Sequence, residues 1–152
     1  MKHVGIISDT HGLLRPEAVE TLRGAELIIH AGDVGNPTVL ESLRQIAPVV
    51  AVRGNVDTGP WAQGLCETEV VPIYGHSIYV LHDRSQLAVD PANAGYAAVV
   101  FGHSHMALAE TRDGVLYLNP GSAGPRRFRL PISVARLRVS TDALEPEIVL
   151  LG

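Results

Sequence analysis

Apolar runs in this chain repeatedly end in small polar clusters: Asp9-x-His11, Gly32-Asp33, Gly54-Asn55-x-Asp57, His82 and Gly102-His103-Ser104-His105. Runs such as Val4-Gly5-Ile6-Ile7, Val49-Val50-Ala51-Val52 and Ile78-Tyr79-Val80-Leu81 have the continuous apolar character of strands buried on both faces. Two segments at helical spacing separate the first three strands. One covers 15–23, with Pro16 in its first turn and Gly24 at its end; the other opens at Asn36-Pro37 and carries Val39, Leu40, Leu43 and Ile46. A βαβαβ order of this kind calls for parallel strands joined by right-handed crossovers.

The second half is richer in strands, expected at 69–72, 77–82, 97–101, 108–111, 115–119, 132–139 and 147–151, with a short helix over 86–93. Asp113-Gly114 predicts a hairpin turn, and the last two strands should pair. The expected fold class is α/β: a four-layer α/β/β/α sandwich of two mixed sheets packed face to face with helices outside. With 152 residues, the chain suits a single domain over 1–152.

Hydrophobic residues at 46% against 18% charged ones describe a globular chain rather than a disordered one. The formal net charge of -4 argues against broad binding to nucleic acid or an anionic membrane, both of which need a basic surface. It leaves an anionic substrate open, because bound metal would invert the local charge. The apolar run after Met1-Lys2-His3 is too short for a signal peptide, and no stretch approaches the roughly 18 apolar residues of a membrane span. One cysteine, Cys66, cannot form an internal disulfide and is read as a small semi-buried hydrophobe. Cytoplasm is the expected location.

In open α/β sheets, ligands collect at the carboxyl ends of the strands, where these clusters fall. In an extended segment, residues two apart share a face, so Asp9 and His11 should reach one metal ion. Gly32 lets the chain turn before Asp33, and Asn55 adds a neutral oxygen. Carboxylate, imidazole and amide oxygen without thiolate suit a pair of divalent ions, with Mn, Fe, Ni, Co or Zn favoured over Mg or Ca.

The ordered motifs from Asp9 to His105, extended by Asn119-Pro120-Gly121-Ser122, resemble the calcineurin-like metallophosphoesterase superfamily, in its small bacterial and archaeal phosphodiesterase branch. The resemblance implies that Asp9, His11 and His105 bind a first metal, that Asp33 bridges, and that Asn55, His82 and His103 complete a second site. It implies two divalent ions per chain, manganese foremost, with ions about 3.5–4 Å apart and a bridging hydroxide attacking a phosphate ester in line. The substrate would be a small phosphate ester, a diester before a monoester. The branch also includes a eukaryotic retromer subunit, so the alternative is a non-catalytic protein-binding scaffold. That reading would predict lost ligands, and all seven positions are filled.

Two departures from the family pattern stand out. Val56 and Asp57 follow Gly54-Asn55 where many phosphomonoesterases have histidine and glutamate, which leaves Asp57 as a weak candidate acid or a residue that orients a neighbour. Asp83 and Arg84 follow His82 where glycine is usual, which should put a carboxylate and a cation near the second metal. His30 is expected to be a hydrogen-bonded core residue, and His3 and His76 to be edge or surface residues. Arg126, Arg127 and Arg129 are either a solvated loop or include a fork for substrate phosphate, as Arg53 also could be. Trp61 either roofs the cleft, faces a partner chain or simply packs. A homo-oligomer would be unsurprising, because such a sandwich exposes edge strands.

Overall fold

The computed structural model describes residues 2–127 and 129–151. The first sheet contains β1 (Lys2–Ile7), β2 (Leu27–His30) and β3 (Val49–Ala51), with β9 (Ser133–Val139) and β10 (Leu144–Leu150). Its order is β10-β9-β1-β2-β3. β1, β2 and β3 are parallel, as the βαβαβ pattern predicts, whereas β9 runs antiparallel to both β1 and β10. The second sheet has the order β4-β5-β6-β8-β7 and uses β4 (Thr68–Ile73), β5 (His76–Leu81), β6 (Ala98–Val100), β7 (Leu108–Arg112) and β8 (Val115–Asn119). Here β5, β6 and β8 are parallel. Asp113 and Gly114 close the β7–β8 hairpin with φ of 52° and 77°, the left-handed pair that a tight hairpin turn requires.

Alternation along the strands divides the apolar residues into three layers. Val4, Ile6, Ile29, Val80, Val100, Leu118 and Leu137 meet between the sheets. Ile7 and Ile28 face the other way, against Leu22 of α1 (Pro16–Leu22) and Leu43 of α2 (Pro37–Arg44). Tyr79, Val99 and Phe101 form the outer face of the second sheet, under Leu87 and Tyr96. The four-layer arrangement is therefore present, but its fourth layer is thin. A single helix over 86–93 does not form. A 3-10 turn spans Arg84–Gln86, and a four-residue α3 spans Pro91–Ala94. Pro91 has no N–H and tolerates only a first-turn position, so the helix begins there, with Asp90 accepting from the Asn93 N–H.

Several side chains lie elsewhere than expected. Cys66 is exposed. His3 and His76 are half-buried on inner strands, and the His76 Nε2 contacts the Ser140 carbonyl at 2.8 Å. Trp61 packs against the helix-facing core, consistent with simple packing.

Candidate metal centre

The chain leaves β1, β2, β5 and β6 at their carboxyl ends and places the polar clusters in the loops that follow. Asp9 and His11 are not extended. Among the described residues, seven non-glycine residues have positive φ, and five of these are Asp9 (57°), His11 (47°), Asp33 (55°), His103 (71°) and His105 (64°). The left-handed region costs such residues free energy and persists where surrounding structure enforces it, as at functional sites. The expected convergence of Asp9 and His11 does occur, with His11 Nε2 3.9 Å from Asp9 Oδ1, but turns produce it rather than a strand pleat.

Two groups result. The ligand atoms of Asp9, His11 and His105 lie within 4.8 Å of one another, and so do those of Asp33, His82 and His103. Asp33 Oδ2 touches both groups, 3.6 Å from His11 Nε2 and 3.1 Å from His82 Nε2. His105 Nε2 is 3.4 Å from Asp9 Oδ1. Asn55 is exposed and lines the cleft that His82 also lines.

The supporting contacts fix these side chains. His82 Nδ1 donates to the Ala31 carbonyl at 2.7 Å, which turns Nε2 toward Asp33. Asp9 Oδ2 accepts from Ser8 Oγ (2.7 Å) and the His103 N–H (3.1 Å). Gly102 and Gly54 are required by close approach: a Cβ on Gly102 would strike Ser8 Oγ and Asp9 Oδ2, and one on Gly54 would strike Asp33 N and Oδ1. Asn119 Nδ2 donates to the Gly102 carbonyl and to Ser104 Oγ, both at 3.1 Å, and Ser122 Oγ donates to the Asp9 carbonyl. The Asn119-Pro120-Gly121-Ser122 loop thus underpins the site as expected. Sequence reasoning does not single out Ser8 and Thr10; their only signal is a small hydroxyl on either side of Asp9.

His30 is structural. Thr10 Oγ1 donates to the Val34 carbonyl at 2.8 Å, so it accepts from His30 Nε2 at 3.0 Å, while His30 Nδ1 accepts from the Gly32 N–H. Burial lowers its pKa to about 4 and outweighs the opposing Asp57 carboxylate, so the ring stays neutral. Asp57 does not have the surroundings of a proton donor. Its Oδ2 accepts from the Val34 and Gly54 N–H groups and its Oδ1 from Gly35, so the carboxylate ties the Asp33 loop to the Asn55 loop. Asp83 lies where expected, its Oδ2 3.8 Å from His103 Nε2. Arg84 does not act as a cation at the second group, because its guanidinium stacks over Phe101 (5.5 Å) and Tyr117 (4.7 Å).

Burial raises the Asp9 pKa against the pull of Ser8, His82 and His105. At Asp33 burial also pushes upward, but the His82 contact and the Val56 N–H prevail and hold the pKa at about 2. His82 is raised because Asp33, Asp9 and the Ala31 carbonyl outweigh its burial. His105 is lowered by burial, with the Arg127 charge adding to the effect against Asp9. Arg127 is therefore a member of the arginine cluster whose field reaches His105.

A two-sheet sandwich that gathers carboxylates and imidazoles at the carboxyl ends of its strands has the donor set of a divalent-metal site. The model of the calcineurin-like phosphoesterase superfamily domain matches residues 1–142, and the chain belongs to that family. It is 36% identical to a probable metallophosphoesterase of Methanothermobacter thermautotrophicus, over 98% of this chain and 92% of that one. It is 31% identical to the phosphodiesterase YfcE of Escherichia coli, over 86% of this chain and 84% of the relative. The solved structure of Vps29 from Chaetomium thermophilum superposes with a TM-score of 0.85 at 18% identity, covering 100% of this chain and 87% of that one, a likeness of fold.

Proposed function

We propose that the protein is a dinuclear phosphodiesterase, and the observation that carries this is the pair of three-residue ligand groups joined through Asp33. Asp9, His11 and His105 would hold one divalent ion. Asn55, His82 and His103 would hold the second, with Asp33 shared between them. The donor set fits such ions. Among the described residues, five buried side-chain polar atoms have no hydrogen-bond partner, and three of them face one another: Asp9 Oδ1, with His11 Nε2 and His82 Nε2 each 3.9 Å from it. Buried lone pairs left unpaired are costly, and a cation at their convergence would satisfy them. Imidazole, carboxylate and amide donors without thiolate suit Mn, Fe, Ni, Co or Zn, and the family resemblance is the reason to put manganese first.

When bound, the ions supply Lewis acidity toward the phosphoryl oxygens and lower the pKa of water. The chain's own residues supply position. The Ala31 carbonyl sets the His82 ring, Ser8 and the His103 amide set Asp9, and Asp57 fixes the distance between the Asp33 and Asn55 loops. Arg127 offers a cation to a phosphoryl oxygen beside His105. The amides around Asp57 occupy it as an acceptor, which leaves it unsuited to protonate a leaving group. That favours esters with good leaving groups, and diesters over demanding monoesters.

The test is hydrolysis of bis-p-nitrophenyl phosphate and p-nitrophenyl phosphate by metal-stripped protein, with single metals added back. Restored turnover, faster on the diester, is the expected result. Unchanged turnover in His103→Ala would overturn the assignment. Stoichiometric metal binding with no turnover on either ester would favour the protein-binding scaffold.

A further inference from the structure

The second ligand group stands between two clefts that share Asp83 as a wall. One, of 260 Å³, is lined by Arg53, Asn55, Glu67, Thr68, His82 and Gln86. The other, of 320 Å³, is lined by Phe101, His103, Met106, Ala107 and Leu108. Their chemistry is opposite. In the first, the Arg53 guanidinium lies 3.3 Å from the Glu67 carboxylate, with a hydroxyl and an amide alongside. In the second, ring and aliphatic carbon dominate the walls, and the Arg84 guanidinium that also lines it is stacked on Phe101 and Tyr117.

The rim repeats this asymmetry. Met106, directly after His105, is 60% exposed, and it borders the apolar cleft. An exposed methionine beside a polar centre is apolar surface waiting to be covered, and its unbranched thioether adapts to flat groups. Asp83 keeps the clefts apart. Its Oδ1 is held by Ser85 N–H and Oγ, and its Oδ2 faces His103.

We propose that each cleft takes one ester arm of a phosphodiester: a hydroxyl-bearing alcohol between Arg53, Glu67 and Gln86, and an aryl or alkyl group against Phe101, Met106 and Leu108. The substrate class is then a mixed diester with one polar and one apolar alcohol. This rests on the phosphodiesterase reading above. Two filled clefts would favour a diester, since a monoester leaves one of them empty.

The test is calorimetric binding of dimethyl phosphate, diphenyl phosphate and phenyl glyceryl phosphate to metal-loaded protein, alongside a metal titration. The expected affinity order is the mixed diester, then diphenyl, then dimethyl phosphate. Met106→Glu should raise Kd for both phenyl diesters about tenfold and move dimethyl phosphate less than about twofold; the milder Met106→Ala should raise the phenyl Kd values about threefold. Gln86→Leu should remove the advantage of the mixed diester over diphenyl phosphate. Equal losses for all three ligands, or no preference for phenyl over methyl in the native protein while metal and dimethyl phosphate still bind, would overturn the two-arm proposal alone. Failure to take up metal would overturn the underlying phosphodiesterase reading together with it.

Discussion

The two ligand groups use the same residue types at different depths. Asp9 and His105 are 0% and 3% exposed, whereas the His103 side chain is 46% exposed. The Asp9 carboxylate has one oxygen with no hydrogen-bond partner, and burial raises its pKa. The Asp33 carboxylate is already compensated by His82 and the Val56 N–H, which hold its pKa near 2. The protein itself therefore compensates the Asp33 carboxylate more fully, while one Asp9 oxygen and His82 Nε2 are both left for a cation to satisfy. Charge deep in the fold needs a partner, and the two carboxylates differ in whether their partners outweigh burial, as they do at Asp33 and not at Asp9.

The sharpest way to break this comparison is to neutralise each carboxylate in turn. Asp33→Asn should lower turnover of a diester by about a thousandfold, because it weakens both groups at once. Steady-state kinetics at saturating metal checks this, and a loss under about tenfold would mean that Asp33 is not shared. Asp9→Asn should abolish metal uptake at the Asp9–His11–His105 group while raising the melting temperature of the metal-free protein, since it removes a desolvated charge. Saturating metal should stabilise the native chain by about 2.7 kcal/mol per site at a hundredfold excess over Kd, and Asp9→Asn should lose one such increment.

Asp57 offers a test weighted toward the second group, because it ties the Asn55 loop to the loop of the shared Asp33. Asp57→Ala leaves three backbone N–H donors without their acceptor and should cost about 2–4 kcal/mol of stability. Its metal titration should show a weakened second site and an intact first. Equal weakening of both would dissolve the distinction between them.

Acid separates the two carboxylates further. Asp33 has a folded pKa near 2 against an ordinary 3.8, so it stabilises the fold above pH 3.8 and loses that contribution as the pH falls toward 2. In metal-free protein this is about 2 kcal/mol, and it should vanish in Asp33→Asn. Asp9, with a raised pKa, behaves oppositely: its destabilising ionisation sets in as the pH rises above the ordinary carboxylate value. Chemical denaturation at stepped pH distinguishes the slopes. The smallest effect concerns backbone strain. His103→Gly, at φ 71°, should stabilise the metal-free protein by about 1 kcal/mol while removing a ligand.

Much of this architecture is legible in the sequence. Strands, their order of appearance, the β7–β8 turn and the polar clusters at strand ends follow from local pattern, because apolar runs and turn residues act over a few positions. The single helix expected over 86–93 does not form because Pro91 restarts it. The stacking of Arg84 is hidden in the sequence, because nothing local reveals that Phe101 and Tyr117 will lie beneath it. The tethering role of Asp57 is hidden for the same reason: two of its three donors come from residues 34 and 35.

The sequence by itself determined which groups are present and that strand ends would carry them. Only the tertiary structure decided their partnership, joining Asp9 to His105 and Asp33 to His82 and His103 across two sheets. It also decided the left-handed turns that aim them, the depth that leaves Asp9 uncompensated and the two unlike clefts beside His82 and His103. The physical reason is range. Propensity and periodicity act within a few residues, whereas burial, charge compensation and cavity shape are set by groups as far apart in the chain as Asp9 and His103, which only packing brings together.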